Sequence, residues 1–452
     1  MQSIKTEALI GKKILFASMP AEGHVNPLTG LAKYLQSQGC DVRWYTGASY
    51  VSKMAKLGIP IFPFRKAVEV TGENLEEIFS ERKKIKGQVK KLVYDMIHVF
   101  IRQAPKFIDD MQDIRKDFPF DVVIAECTFT AIPLIKKVLK VPVVGIGIVP
   151  LTETSRDLPP IGLGMTPSDT FTGRLKQKFL RFFTNEVLFR KANVAAYEIL
   201  DSYGVKYNRS NMFDIAVKAS DLFLQSGTPG FEYRRSDMGK NIRFIGSLLP
   251  WSSAKKTAPW QDARLKQYST ILLVTQGTVE KDAEKLLVPT LEAFKNTTTL
   301  VICTTGGSQT EELRKRFPQR NLIIEDFIPF DNVMPYANVY ITNGGYGGVM
   351  LGIENELPMV VAGVHEGKNE ICARVGYFNL GINLVTEKPK PVQIKNAVEK
   401  ILANNMYRAN VEKLSKEFNR YNPGELCARY TATILSQPEK SGTAVIVNDI
   451  AA

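Results

Sequence analysis

Four glycines fall within five residues, at Gly344, Gly345, Gly347 and Gly348, directly after the apolar run Val339–Thr342. That run reads as a buried strand, and the stretch behind the glycines is helix-like. Leu357-Pro358 then leads into a second apolar run, Met359–Val364. Strand, glycine turn, helix is a layout that sets bare backbone N–H groups against a phosphate, with the helix dipole favouring negative charge. A glycine turn alone is a weak signal. Here it recurs: Thr270-Ile-Leu-Leu-Val-Thr-Gln-Gly-Thr278 is again strand into glycine turn.

Near the N-terminus the strand-like Lys13–Ser18 runs into Met19-Pro-Ala-Glu-Gly-His-Val-Asn-Pro-Leu28. Asn26 suits an N-cap and Pro27 the first helical position. Leu28, Leu31 and Leu35 recur at helical spacing, and Gly39 closes the helix. His24 is thereby placed in a loop at the carboxyl end of a strand, where open α/β sheets bind ligands. The helix N-terminus beside it disfavours imidazolium, so His24 is expected to be neutral and able to accept a proton. His98 and His365 are the other two histidines of the chain.

The 452 residues exceed one core and suit two domains. In the first half, strand-like runs are Ile14–Ala17, Val42–Thr46, Val122–Glu126, Val141–Ile148 and Leu222–Gln225; in the second, Leu300–Cys303, Leu322–Ile324, Val339–Thr342 and Met359–Val364. Two successive α/β halves imply two doubly wound domains facing across a cleft. The expected division is 1–245 for the first domain, a linker over 246–260, 261–410 for the second, helices over 411–435, and a tail from 436 to 452. The charged stretches Leu75–Met111 and Phe171–Ser202 are helical in period and larger than a crossover needs, so they are read as shaping a second, apolar site.

With 44% hydrophobic and 23% charged residues, the composition is that of a globular protein. No run approaches the ~20 apolar residues of a membrane span, and Met1–Glu7 lacks a signal-peptide core, so a cytoplasmic location is expected. Cys40, Cys127, Cys303, Cys372 and Cys427 lie far apart without a Cys-x-x-Cys pair, which argues against disulfides and zinc. The net charge is +13, but no nucleic-acid-binding motif accompanies it. Part of it sits in Arg174-Leu-Lys-Gln-Lys-Phe-Leu-Arg-Phe-Phe183, read as an ordinary amphipathic helix over the core rather than a membrane-association element. The oligomeric state stays open.

From Lys13 to about Leu435 the chain resembles the inverting, nucleotide-sugar-dependent glycosyltransferases of small molecules, which have the two-Rossmann GT-B fold. The matching residues are Gly23-His-Val-Asn-Pro27, Phe120-Asp-Val-Val-Ile-Ala-Glu126, Thr275-Gln-Gly-Thr278, Phe327-Ile-Pro-Phe330, and Thr342-Asn-Gly-Gly345 through Leu357-Pro358 to Ala373-Arg-Val375. The resemblance implies an N-terminal domain that holds a small-molecule acceptor and a C-terminal domain that holds a nucleotide sugar. It implies catalysis by His24 as base, with Glu126 in the place of the family's orienting aspartate. It also implies nucleotide and diphosphate contacts from Gly277, Thr278, Phe327, Ile328, Asn343, Gly344, Gly345, Gly347 and Gly348, and neither metal nor cofactor.

The chain departs from the family pattern on the donor side. Asn343 stands for a histidine, Gly348 for a Ser/Thr, Leu351 for the glutamate that grips ribose, and Phe330 for a glutamine. A buried carboxylate without a 2′-hydroxyl to bind would be a cost, so its loss favours dTDP over UDP. The Asp-Gln pair that holds glucose is also missing. His365, Glu366, Lys368 and Asn369 are the polar groups at hand for a sugar such as the 6-deoxyhexose rhamnose. The expected activity is therefore transfer of such a sugar from dTDP to a hydroxyl of an apolar, phenolic or flavonoid-like molecule. A UDP-glucose-type enzyme acting on a lipid or polyketide at a membrane face, and a non-catalytic nucleotide-binding GT-B protein, stay open as alternatives.

Overall fold

The structure, a computed structural model, describes residues 6–208, 211–251, 260–277 and 280–436. Apolar runs buried on both faces build two all-parallel sheets, the expected pattern for strands covered by helices on each side. The first sheet contains β1 (Lys13–Ala17), β2 (Asp41–Thr46), β3 (Ile61–Pro63), β4 (Val122–Glu126), β5 (Val143–Gly147), β6 (Leu222–Gln225) and β7 (Ile242–Phe244). Its order is β3-β2-β1-β4-β5-β6-β7. The second contains β8 (Ile271–Thr275), β9 (Leu300–Thr304), β10 (Leu322–Glu325), β11 (Val339–Thr342), β12 (Met359–Val361) and β13 (Gly381–Asn383), in the order β10-β9-β8-β11-β12-β13.

Each sheet reverses its winding once, between β1 and β4 and between β8 and β11. The carboxyl ends of those strand pairs are the crevices in which doubly wound sheets bind ligands. Ala17 pairs with Ala125 across β1 and β4, and Thr342 with Thr275 across β11 and β8. The loops after these strands are thus neighbours.

The first core packs Trp44, fully buried, on Phe16 with ring centroids 5.1 Å apart. The Trp44 indole N–H donates to Ser18 Oγ at 3.0 Å, so the ring is buried without an unpaired donor. The last helix, Pro423–Leu435, returns from the second half to this core. Cys427, Ala428 and Tyr430 share an apolar cluster with Leu28, Leu31 and Leu35 of the Glu22–Ser37 helix. Gly424 permits that approach, since an added Cβ would come within 2.6 Å of Tyr34 Cγ.

A buried ion cluster joins the two halves. Arg374, on the Lys368–Tyr377 helix, donates to Glu232 beyond β6 at 2.6 Å and to the Glu370 carboxylate at 3.2 Å. Its guanidinium lies 4.2 Å from the Tyr233 ring centroid. Glu370 Oε1 in turn accepts the backbone N–H groups of Gly162 and Gly164, both at 2.8 Å. Burial alone would raise the Glu232 pKa, but Arg374 and Arg235 outweigh it and hold the carboxyl below its ordinary value.

Several boundaries differ from the sequence reading. The three-residue edge strands β3, β7 and β13 carry too short a pattern to be read, and β12 ends at Val361, short of the expected Val364. The stretch 75–111 is not one helix: Gly87, at φ +93, and a π turn at Met96–Phe100 divide it. The helices expected over 411–435 are Met406–Phe418, which starts earlier than expected, and Pro423–Leu435. Part of the expected linker, 252–259, and the tail beyond 436 lie outside the described residues.

The Phe171–Phe183 helix does not lay its apolar face on the core. Its buried side is polar, because the Gln177 side chain donates to the carbonyls of Asp157 and Ser168 and accepts from the Ser168 N–H. Arg181 donates to the Leu158 carbonyl from the same side.

Removing Arg374 would leave Glu370 buried without its cation and Glu232 with Arg235 alone. Arg374→Ala is expected to cost about 3–5 kcal/mol. Chemical denaturation of both proteins measures this, and a loss below about 1 kcal/mol would show that the cluster holds nothing together.

Candidate active site

His24 and Glu126 meet at the switch point of the first sheet. Glu126 ends β4 with no exposed side-chain surface, while His24 is 25% exposed. His24 Nδ1 lies 3.1 Å from Glu126 Oε1. The carboxylate also accepts from the backbone N–H of Met19 at 3.2 Å and from the Thr128 hydroxyl at 2.6 Å, and its second oxygen accepts the Thr128 N–H. An ionised carboxylate only accepts, so the proton of the neutral imidazole sits on Nδ1 and the Nε2 lone pair is left free.

The helix carrying His24 starts earlier than its sequence signals imply. It runs from Glu22 with Ala21 as N-cap, so Asn26 is not the cap and Pro27 is not the first helical residue. Asn26 instead bonds Glu22 at 2.6 Å, and Lys53 bridges both side chains. Pro27 lies inside the helix, where it forgoes the bond it would make to Gly23.

The pKa shift runs opposite to the one expected from the helix end. Burial lowers the His24 pKa, but the charge and hydrogen bond of Glu126 outweigh it, and the pKa is raised above the ordinary 6.5. Burial likewise pushes Glu126 up, but His24 and Thr128 bring it below the ordinary 4.5. The stabilisation from His24 is complete below 6.5 and fades as pH rises through its raised pKa. That from Glu126 is complete above 4.5 and fades as pH falls through its lowered pKa.

The second half presents its own switch point. After β11 the chain turns through Asn343 and Gly344, and Gly345 caps the Tyr346–Glu354 helix, so Gly347 and Gly348 lie in its first turn. Backbone N–H groups there have no carbonyl one turn earlier and face whatever lies beyond the helix end. Gly344 has φ +79, and an added Cβ would come within 2.3 Å of Cys372 Sγ. Asn343 Nδ2 donates to the Gln276 carbonyl, and its Oδ1 accepts from Gly345 N at 3.3 Å. The Asn343 amide therefore ties the loop after β8 to the turn after β11. Gly277 continues that loop at φ +76; Thr278 lies outside the described residues.

Gln276, Asn343, Gly363 and Lys368 line a cleft with Glu280, Lys285 and Glu387. Lys368 Nζ reaches Glu366 at 2.7 Å and is the cation nearest the turn in sequence order beyond β12. His365 sits at the rim, 60% exposed, with its N–H on Glu387 at 3.1 Å. Asn369 points elsewhere and donates to the Gly162 carbonyl at 2.7 Å, so it grips the other half of the molecule.

Phe327 is exposed at the edge of the second sheet, its ring over Gly307, while the Ile328 side chain is buried. Phe330 and Leu351 pack on the apolar core between them and offer no hydrogen bond. Tyr346 brings the two halves together, donating its hydroxyl to the Ser226 carbonyl after β6 at 2.9 Å.

The sequence reading missed Thr128, Gln276, Glu280 and Glu387. Thr128 had a signal, since it stands two residues beyond Glu126 and a hydroxyl there can turn back to the carboxylate. Among the described residues, no group of three or more His, Cys, Asp or Glu side chains could hold a metal ion.

Residues 163–423 match the model of the family described as UDP-glucoronosyl and UDP-glucosyl transferase. The chain is 32% identical to 4'-demethylrebeccamycin synthase of Lentzea aerocolonigenes, over 90% of this chain and 96% of the relative. It belongs to that family. As a member it is an inverting glycosyltransferase with a nucleotide-sugar co-substrate. It is also 29% identical to UDP-glycosyltransferase 2 of Phaeomoniella chlamydospora, over 90% of this chain and 92% of the relative. Its fold matches the solved calicheamicin glycosyltransferase CalG4, with a TM-score of 0.73 and 18% identity over 94% of this chain and 99% of that one. The two-domain architecture is therefore GT-B.

Replacing Glu126 with an isosteric amide removes what raises the His24 pKa and leaves burial and the helix end. For the wild-type enzyme, kcat/KM is expected to rise with pH along a limb centred above 6.5. In Glu126→Gln that midpoint should move down by about one to two pH units. A pH–rate profile of both enzymes checks this, and an unmoved midpoint would detach Glu126 from His24.

Proposed function

We propose that this glycosyltransferase moves a hexose from a nucleoside diphosphate to a hydroxyl of an apolar natural-product-like acceptor, with His24 as the general base. The observation that carries the reading is the His24–Glu126 pair at the switch point of one sheet, together with a glycine turn at the switch point of the other. His24 Nε2 takes the acceptor O–H proton as that oxygen attacks the anomeric carbon. The new C–O bond forms on one face while the bond to the diphosphate breaks on the other, which inverts the centre. The proton ends on His24, where Glu126 offsets the imidazolium charge.

The charge that grows on the leaving diphosphate is met by the first-turn N–H groups of the Tyr346–Glu354 helix and by Lys368. Phe327 stacks on the base, and the Ile328 backbone reads its edge. In this reading the chemistry needs no metal. Glu366, Lys368 and His365 are the groups for the sugar hydroxyls, while Asn369 acts by fixing the loop at Gly162.

The finer reading is a dTDP-linked 6-deoxyhexose such as rhamnose, with a phenolic or flavonoid-like acceptor. It is supported by Leu351, which packs into the core and leaves no carboxylate for a ribose hydroxyl. UDP as donor nucleotide is the second reading. The names of the family and of its Phaeomoniella chlamydospora relative, both of which specify UDP, favour it.

The test is product formation with a flavonol and four donors: the rhamnose and glucose conjugates of dTDP and UDP, each with and without EDTA. EDTA-resistant transfer strongest from dTDP-rhamnose is expected, and transfer equal or greater from UDP-glucose would overturn the donor assignment. His24→Ala should lower kcat by about 10²–10⁴ with nucleotide binding intact. Unchanged turnover would refute the base.

A further inference from the structure

The Phe171–Phe183 helix is inside out. Its buried positions are polar, with Gln177 at 2% exposure on the inner face and Thr184 just beyond at 1%. Its outer face carries Phe171, Leu175, Phe179 and Phe182, which are 84%, 59%, 62% and 63% exposed. At 100° per residue these four side chains fall within about 80° of arc, a continuous apolar stripe.

Lys176 flanks the stripe on one side, and Arg174 and Lys178 flank it on the other, all three exposed. The helix itself holds no acidic residue; Asp169 precedes it and Glu186 follows it. Asp169 lies 3.7 Å from Arg174 and is itself almost wholly exposed.

We propose that this helix docks the protein on an anionic lipid surface, lying in the plane of the interface with its aromatic stripe in the acyl boundary and its basic flanks at the headgroups. Exposed aromatics in a row are costly in water and are removed from it by any apolar partner. The charge pattern selects the partner. A second copy of the chain packed stripe to stripe would bring the basic flanks of both copies together. A small-molecule site would be concave, whereas a single helix flank is convex. A stripe with cations on both borders matches a bilayer surface carrying negative headgroups. With 13 residues the helix is too short to span a bilayer, so it lies on one. Gln177 and Arg181 hold it to the 157–168 loop, so the stripe is presented on a fixed element.

This inference stands apart from the catalytic assignment. Its test is co-sedimentation of the full chain with phosphatidylcholine vesicles and with vesicles containing phosphatidylglycerol, at low and high salt. Retention on the anionic vesicles, weakened by salt and absent from phosphatidylcholine alone, is expected. K176Q/K178Q should lower the partition coefficient about thirtyfold, at ~1 kcal/mol per charge. F179S/F182S should abolish retention with an unchanged circular dichroism spectrum. No retention on anionic vesicles would overturn the proposal, as would retention unaffected by F179S/F182S. A monomer–dimer equilibrium in sedimentation that F179S/F182S abolishes, without vesicle binding, would assign the stripe to a second copy instead.

Discussion

Four hydrogen-bond donors converge on the fully buried carboxylate of Glu126: the N–H groups of Met19 and Thr128, the Thr128 hydroxyl and the imidazole of His24. A carboxylate in that setting is strongly destabilising unless every lone pair is engaged. The loops after β1 and β4 are therefore fixed by the need to satisfy it. Met19 is held where the chain leaves β1, the Glu22–Ser37 helix starts early, and His24 is brought onto its first turn. The imidazole orientation follows, with Nδ1 turned to the carboxylate and Nε2 on the opposite side of the ring. One buried charge thus sets the tautomer, the charge balance and the direction of the base.

The proposed base, His24, has no use without the opposite half of the molecule. Tyr346 opens the helix behind the glycine turn and binds the Ser226 carbonyl, which ties the second switch point to the end of β6. Arg374 links Glu232 of the first half to Glu370 of the second, and Glu370 and Asn369 grip the loop at Gly162 and Gly164. Those bonds lie on the helix that begins at Lys368, directly after the residues assigned to the sugar. Lys368, proposed for the donor, and the groups that join the halves share one element, so the proposal couples donor contacts to domain placement.

Parallel strands were legible because they are buried on both faces and leave unbroken apolar runs; β4, β6 and β11 stand as read. The edge strands β3, β7 and β13 were not, since three residues carry no period. His24 could be located because it follows a strand that ends at a switch point, and Glu126 because it stands, at the end of β4, in the place of the family's orienting aspartate. The direction of the His24 pKa shift could not be read, since it depends on a distance across 102 positions of sequence. Asn369 looked like a sugar ligand by position and proved to be a clamp, because only the fold brings Gly162 beside it. The Phe171–Phe183 helix shows a further limit: periodicity reveals an apolar face but not which side of it the protein occupies.

The most direct measurement is ¹⁵N NMR of histidine-labelled protein, in which His24→Gln identifies its signal among three imidazoles. The account predicts that His24, when neutral, carries its proton on Nδ1, and that it titrates above 6.5. A neutral form protonated on Nε2, or a titration midpoint below 6.5, would contradict the claim that Glu126 orients and charges the base.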